Sequence, residues 1–180
     1  ELRTADGTPT NAVYGFINML LKVLEDEKPD HIAIAFDRSA PTFRHIEYDQ
    51  YKATRTGMPE DLRAQIPIIK DVVRAFSMCI YEIDGFEADD VIGAAAAKAE
   101  KAGLNVVIVT GDHDALQLVS DKTTVLLTRR GITDISRFDR TEMVKTLGMT
   151  PEQVTDYKAL VGDHSDNIPG VPGVGEKTAL

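Results

Sequence analysis

Eight acidic residues fall in short groups along the chain: Asp37, then Glu87, Asp89 and Asp90, then Asp112 and Asp114, then Asp163 and Asp166. The first three groups each follow a short apolar run, at His31 to Phe36, Cys79 to Ile83 and Val106 to Val109. That is the pattern of a buried strand of an α/β sheet with polar residues at its carboxyl end, the edge at which sites assemble. Singly, each acid has an ordinary explanation: Asp89 or Asp90 as a helix cap or first-turn acid, Asp37 as a turn residue, Asp112 as the cap of a helix starting near Asp114. Gathered at one edge, the set is electrostatically untenable unless protons or cations compensate it. An all-oxygen donor set selects hard cations, so Mg²⁺ or Mn²⁺ is the expected occupant.

Other chemistries find less support. His113 and His164 sit between paired acids and read as solvent-facing, because the acids carry the repeated spacing. Cys79 is the only cysteine, which leaves neither a disulfide framework nor a thiolate zinc site, and its place in a strand-like run reads as a buried apolar residue. Ser165 has no nucleophile motif around it.

Two further segments are suited to nucleic acid. Between Thr42 and Pro59 the hydrophobic period is lost and Phe43, Arg44, His45, Tyr48, Tyr51, Lys52 and Arg55 accumulate; aromatic and cationic groups together suit base stacking and phosphate contact, although a solvated charged loop explains the segment equally well. From Ile168 to Ala179 the Gly- and Pro-rich string resembles a helix-hairpin-helix. Gly170, Gly173 and Gly175 would let the backbone approach a phosphate, with Lys177 adding charge. The alternative is a connecting loop that needs glycine only for its geometry.

The elements that must position these groups follow from periodicity. Asn11 to Glu27 places Val13, Phe16, Ile17, Leu20, Leu21 and Leu24 at helical spacing and stops near Pro29. A helix over residues 60–77 is interrupted by Pro67, which should bend or split it. A third begins near Asp89, runs through an alanine-rich segment that suggests close helix packing, and stops at Gly103. Asp114 to Val119 reads as a short helix, Thr124 to Leu127 as a strand, and residues 131–135 as a turn with a small extension. Strands alternating with helices predict a three-layer α/β fold, its central sheet largely parallel and flanked by helices. From Asp139 onward the strands disappear, and helices over 140–147 and 151–160 precede the hairpin. The expected division is an α/β core over 1–138, with the basic connecting segment at about 42–65, and a helical subdomain over 139–180.

The net charge of −9 argues against a general DNA binder, but acids clustered in one pocket leave room for basic contact surfaces elsewhere. No apolar stretch approaches the ~18 residues of a membrane span and no signal segment opens the chain, so a cytoplasmic location is expected.

Phe36-Asp37 with Phe43-Arg44-His45, Tyr51-Lys52 with Arg55, Glu87-Ala88-Asp89-Asp90, Thr110-Gly111-Asp112-His113-Asp114, and Gly162-Asp163-His164-Ser165-Asp166-Asn167 before the hairpin together resemble the 5′-nuclease domain of bacterial DNA polymerase I, within the flap endonuclease family. The resemblance covers nearly the whole chain, in order. It implies a PIN-like, Rossmann-like nuclease core and a 5′-3′ exonuclease and flap endonuclease that removes primers and flaps in replication and repair. It further implies two divalent ions, with Asp37, Glu87, Asp89 and Asp112 around the first, Asp114, Asp163 and Asp166 nearer the second, and Asp90 in the same cluster. Lys52 and Arg55 would be catalytic, contacting the scissile phosphate; Arg44 and Tyr51 would join them in binding DNA, and the hairpin would hold duplex and a K⁺ ion. The family's core begins with a strand ending in a metal-binding Asp, upstream of where Glu1 stands, so the resemblance implies a monomeric fragment, truncated at both ends and followed in the full protein by a polymerase region. A PIN-type ribonuclease would share the acidic site without needing the hairpin, and a non-catalytic junction-binding module would share the fold without needing the ligands. A magnesium phosphohydrolase would need a second acid after the first strand, which Asp37-Arg38-Ser39 lacks.

Overall fold

A computed structural model describes residues 2–130 and 134–180. Helix α1 (Asn11–Glu27) follows its apolar period, burying Val13 and Leu20. Leu21, expected on the same face, is exposed. The helix ends where Lys28 turns left-handed before Pro29, its N–H returning to the Leu24 carbonyl. The other end is finished by a residue far away in sequence. Fully buried Gln65 accepts from the N–H groups of Ala12 (2.7 Å) and Val13 (3.2 Å) and donates to the Asp61 carbonyl (2.8 Å), satisfying amide groups that a helix start leaves unpaired.

Strand β1 (Ala33–Ala35) leads to the short helix α2 (Phe43–Glu47). The single helix expected over 60–77 is split, as Pro67 requires, into α3 (Glu60–Arg63) and α4 (Ile66–Ala75), with the proline in the first turn of α4 where no amide hydrogen is missed. Strand β2 (Cys79–Tyr81) pairs in parallel with β1. Cys79 is exposed, not buried as its apolar surroundings suggested: alternation along β2 turns Ile80 inward and Cys79 and Tyr81 outward.

Helix α5 (Ala88–Lys101) packs against β1 and also against β3 (Val106–Thr110). Of its alanine run only Ala96 is buried, while Gly93 permits the close approach of Leu118. A 3₁₀ turn over His113–Leu118 precedes β4 (Thr123–Arg130), which is parallel to β3 and antiparallel to β5 (Asp134–Phe138). The turn expected at 131–135 falls at residues 131–133 outside the described residues. The parallel pairs lie in two separate ladders among the described residues, β1-β2 and β3-β4, the second extended by antiparallel β5.

One core lies under the second ladder. Val125, Leu127, Phe138 and Met143 are almost wholly buried, joined by Ile108, Leu116 and Val154. Met143 belongs to α6 (Arg140–Leu147) and Val154 to α7 (Gln153–Val161), so the helices after Asp139 complete this core. Strands do reappear beyond Asp139: β6 (Gly162–Asp163) and β7 (Ile168–Pro169) form a two-residue antiparallel ribbon, followed by α8 (Glu176–Ala179). Glycine is required there. A Cβ at Gly170 would lie 2.3 Å from the Val161 carbonyl carbon, and one at Gly162, where φ is +84°, would lie 2.4 Å from the Gly170 nitrogen.

Phe138→Ala is expected to cost about 3–5 kcal/mol, as for other buried aromatics, read as a lower urea midpoint. Gly170→Ala should lower the melting temperature, whereas Gly57→Ala, whose Cβ meets nothing within 4 Å, should leave it nearly unchanged.

Candidate active site

The start of α5 organises the first group of acids. Glu87 stands immediately before the helix, and Asp89 and Asp90 lie in its first turn, where the helix dipole favours negative charge. Asp37, just past β1, accepts from the Ala88 N–H at 2.7 Å, tying one strand end to this helix start. Asp112, just past β3, accepts from the Asp114 N–H at 2.9 Å. The sequence correctly suggested that Asp112 caps this short helix, and capping leaves its other oxygen free for further chemistry. Asp89 is half-buried at the centre. Burial, followed by the charges of Asp112, Asp37, Glu87 and Asp114, pushes its carboxyl up to about 6, so five acids share one field.

Asp114, Asp163 and Asp166 form a second convergence, offering oxygens that all lie within 4.8 Å of one another. Asp163 Oδ1 accepts from the N–H of Ser165 (2.8 Å), the Ser165 hydroxyl (2.7 Å) and the N–H of Asp166 (3.2 Å). Its Oδ2 lies 2.5 Å from Lys158 Nζ. Burial would weaken Asp163 as an acid, but Lys158 and Ser165 outweigh it and hold the carboxyl well below its ordinary range. Asp114 Oδ1 is buried, with the Lys158 ammonium 2.5 Å away but outside hydrogen-bond geometry. An all-oxygen donor set with a raised carboxyl in one group and a poorly satisfied buried oxygen in the other fits hard divalent cations.

The basic segment is clamped onto these acids, not held out as a loop. Lys52 takes a left-handed backbone, φ +54°, and its N–H donates to the Asp166 carbonyl at 2.9 Å. Its Nζ lies 2.6 Å from Glu87 Oε1. Arg55 reaches Asp166 Oδ1 at 2.5 Å and the Ser165 carbonyl at 3.0 Å. Asn167 also donates to the Gln50 carbonyl at 2.8 Å. Lys52 and Arg55, three apart in sequence, therefore meet at the rim of the acidic site.

Four expected site residues have other occupations. Tyr51 is 5% exposed, its hydroxyl 2.9 Å from Glu87 and 3.1 Å from Asp166. Burial and then those carboxylates keep the phenol protonated, and the ring is not presented to a base. Arg44 grips Asp90 with two contacts of 2.7 Å, and Asp90 Oδ2 also accepts from the Glu87 N–H at 2.9 Å. Both oxygens of Asp90 are thereby used, and Arg44 first, against some desolvation, holds the carboxyl below its usual range. Asp90 fastens the helix start rather than facing the other acids. Gly170 is consumed by the backbone crossing, while Gly173, Gly175 and Lys177 are exposed around the turn into α8. His113 and His164 are exposed. Lys158 and Gln65 escaped sequence reasoning. A basic residue in the last turn of a helix five positions before Asp163 was the available signal for Lys158; nothing local marked Gln65.

A family model described as "5'-3' exonuclease, N-terminal resolvase-like domain" matches residues 1–148, and one described as "5'-3' exonuclease, C-terminal SAM fold" matches residues 149–180. DNA polymerase I of Bacillus subtilis (strain 168) is 51% identical over 97% of the chain, and that of Mycobacterium tuberculosis (strain H37Rv) 51% identical over 99%. The chain spans 20% of the length of each of these relatives. Among solved structures, bacteriophage T5 5′-exonuclease with zinc bound superposes with a TM-score of 0.77 at 21% identity, over 95% of this chain and 65% of that one. The T5 flap endonuclease with DNA and metal ions gives 0.76 at 21% identity, over 95% and 65%. These likenesses show the same fold, an α/β nuclease core followed by a SAM-like segment. No helix among the described residues is long and apolar enough to cross a membrane. Since consecutive models cover residues 1–148 and 149–180, the chain belongs to the 5′-3′ exonuclease family.

Proposed function

We propose that the protein is a structure-specific 5′-3′ exonuclease and 5′-flap endonuclease that hydrolyses DNA phosphodiesters with two Mg²⁺ (or Mn²⁺) ions, removing primers and flaps in replication and repair. The observation that carries this reading is the convergence of Asp37, Glu87, Asp89, Asp112 and Asp114 with Asp163 and Asp166, rimmed by Lys52 and Arg55. Seven carboxylates with few protons to share need divalent charge, and basic side chains at their rim suit a phosphate that arrives with the substrate.

Asp37, Glu87, Asp89 and Asp112 would hold one ion and Asp114, Asp163 and Asp166 the other. Such a pair supplies an activated water and neutralises charge on the attacked phosphate and the leaving oxygen. The chain's own groups do the rest. Lys52 Nζ and the Arg55 guanidinium, parked on Glu87 and Asp166, turn onto the scissile phosphate and stabilise the charge of its transition state. Tyr51, protonated and buried between Glu87 and Asp166, keeps those two carboxylates in register. Water adds to phosphorus and the bond to the 3′ oxygen breaks, leaving a 5′-phosphate and a 3′-hydroxyl. The exposed turn bearing Gly173, Gly175 and Lys177 would hold duplex backbone, with K⁺ bound there. The substrate is DNA with a 5′ flap, nick or 5′ end, acted on by a cytoplasmic monomer. The relatives' length supports a polymerase region in the same polypeptide.

Asp112→Asn should lower cleavage of a 5′-flap substrate by more than the roughly 10–100-fold typical of losing an outer-shell partner, while DNA binding by gel shift persists; near-normal cutting would overturn the assignment. Chelator should abolish cleavage by the unaltered protein. Asp89 yields a second prediction. The folded chain binds the Asp89 proton more tightly than an unfolded chain does, so the ionised form costs the chelated protein stability above about pH 6. That cost fades as pH falls toward the ordinary carboxylate value. Asp89→Asn should therefore raise the melting temperature in chelator at pH 7.5, with the gain shrinking through pH 6 and gone near pH 4.

A further inference from the structure

Lys158 lies outside the basic segment, on helix α7, yet its ammonium stands inside the second acidic convergence. Nζ is 2.5 Å from Asp114 Oδ1, contributed by the loop after β3, and 2.5 Å from Asp163 Oδ2, contributed by the ribbon after α7. Asp114 and Asp163 are two of the three residues whose oxygens gather within 4.8 Å. A magnesium ion would need such oxygens at about 2.0–2.1 Å, and the space between them is where the ammonium stands.

The lysine is anchored differently from Lys52 and Arg55. Those sit in a segment held by hydrogen bonds to residues 165–167. Lys158 rises from a helix whose Val154 is buried in the core and which packs against the 3₁₀ turn carrying Asp114. Its backbone therefore stays in place, and only rotation of its flexible four-carbon stem can remove the charge. Its side chain is 34% exposed, which leaves solvent for the ammonium to swing into.

Resting on the metal-site reading above, we infer that Lys158 is a built-in counter-ion of the second site: it holds Asp114 and Asp163 together in the absence of a divalent ion and competes with that ion for the same two oxygens. It is a positioning residue for the site. Its presence makes the second site weaker than its carboxylate count would give, so that occupancy responds to metal concentration, while the metal-free carboxylates are kept from repelling one another.

The test is Mn²⁺ titration by calorimetry, with melting temperature measured in chelator, on the protein and on Lys158→Met, Lys158→Gln and Lys158→Arg. Removing the charge should tighten the weaker of two Mn²⁺ sites by about tenfold, the equivalent of about 1.4 kcal/mol, and lower the melting temperature in chelator. Lys158→Arg should restore both toward the original values. A merely structural lysine would change the melting temperature without tightening Mn²⁺ binding. Unchanged or weakened Mn²⁺ affinity in Lys158→Gln, should Lys158→Met fail to fold, overturns the inference while leaving the metal site standing. If the unaltered protein binds no Mn²⁺, the metal-site reading itself fails and this inference falls with it.

Discussion

Mutual repulsion among carboxylates governs the site end of this molecule. Seven acids from strand ends and one later loop are brought close enough to perturb one another, and every strong contact nearby answers that repulsion. Lys52, Arg55 and Lys158 each set a cation against a member of the cluster, and Tyr51 sets a protonated hydroxyl between two. The amide groups of Ala88, Asp114, Ser165 and Asp166 contribute donors where side chains do not. Only Asp89 remains without such a partner among the described residues, and its proton is held more tightly than a carboxyl's ordinarily is.

That demand explains features remote from chemistry. The basic segment folds down because Glu87 and Asp166 draw Lys52 and Arg55 inward, and Lys52 accepts a left-handed backbone as part of the arrangement. A non-glycine residue in that conformation is uncommon and persists only where surrounding contacts over-determine it. The crossing of Gly162 and Gly170 has the same purpose at one remove. Two backbones approach more closely than any side chain allows, and the loop carrying Asp163 and Asp166 is turned back toward Asp114.

The scaffold divides its work between rigidity and charge. Beneath β4, Val125, Leu127, Phe138, Met143 and Val154 form a dense apolar core that fixes α7 and the turn carrying Asp114. Helix α5 contacts both strand ladders and brings Glu87 and Asp89 to the seam between them. Asp90 secures that helix start by engaging Arg44, so one acid of the triplet is given to structure and two face the cluster. A site of like charges can be built only on elements held elsewhere by hydrophobic burial, since it contributes no cohesion of its own until cations arrive.

Local signals in the sequence carried most of the elements and seven of the eight acids grouped at the site; Asp90, bound by Arg44, and the short strands β6 and β7 were not legible in them. Helical spacing in α1, the proline that divides α3 from α4, the exact span of residues 140–147 and the acids after apolar runs need no knowledge of distant neighbours. Tertiary structure alone decided what each charged group touches. Asp90 and Asp89 are adjacent and chemically identical, yet one is bound by an arginine 46 residues away and the other is left among its own kind. Cys79 lies in an apolar run but faces outward, and Tyr51 lies in a polar one but is buried. Lys158 reaches Asp114, far earlier in the chain, because α7 packs on the turn carrying that residue. Periodicity reports which face of an element is apolar; which opposite charges meet is set by long-range packing, and no local pattern encodes it.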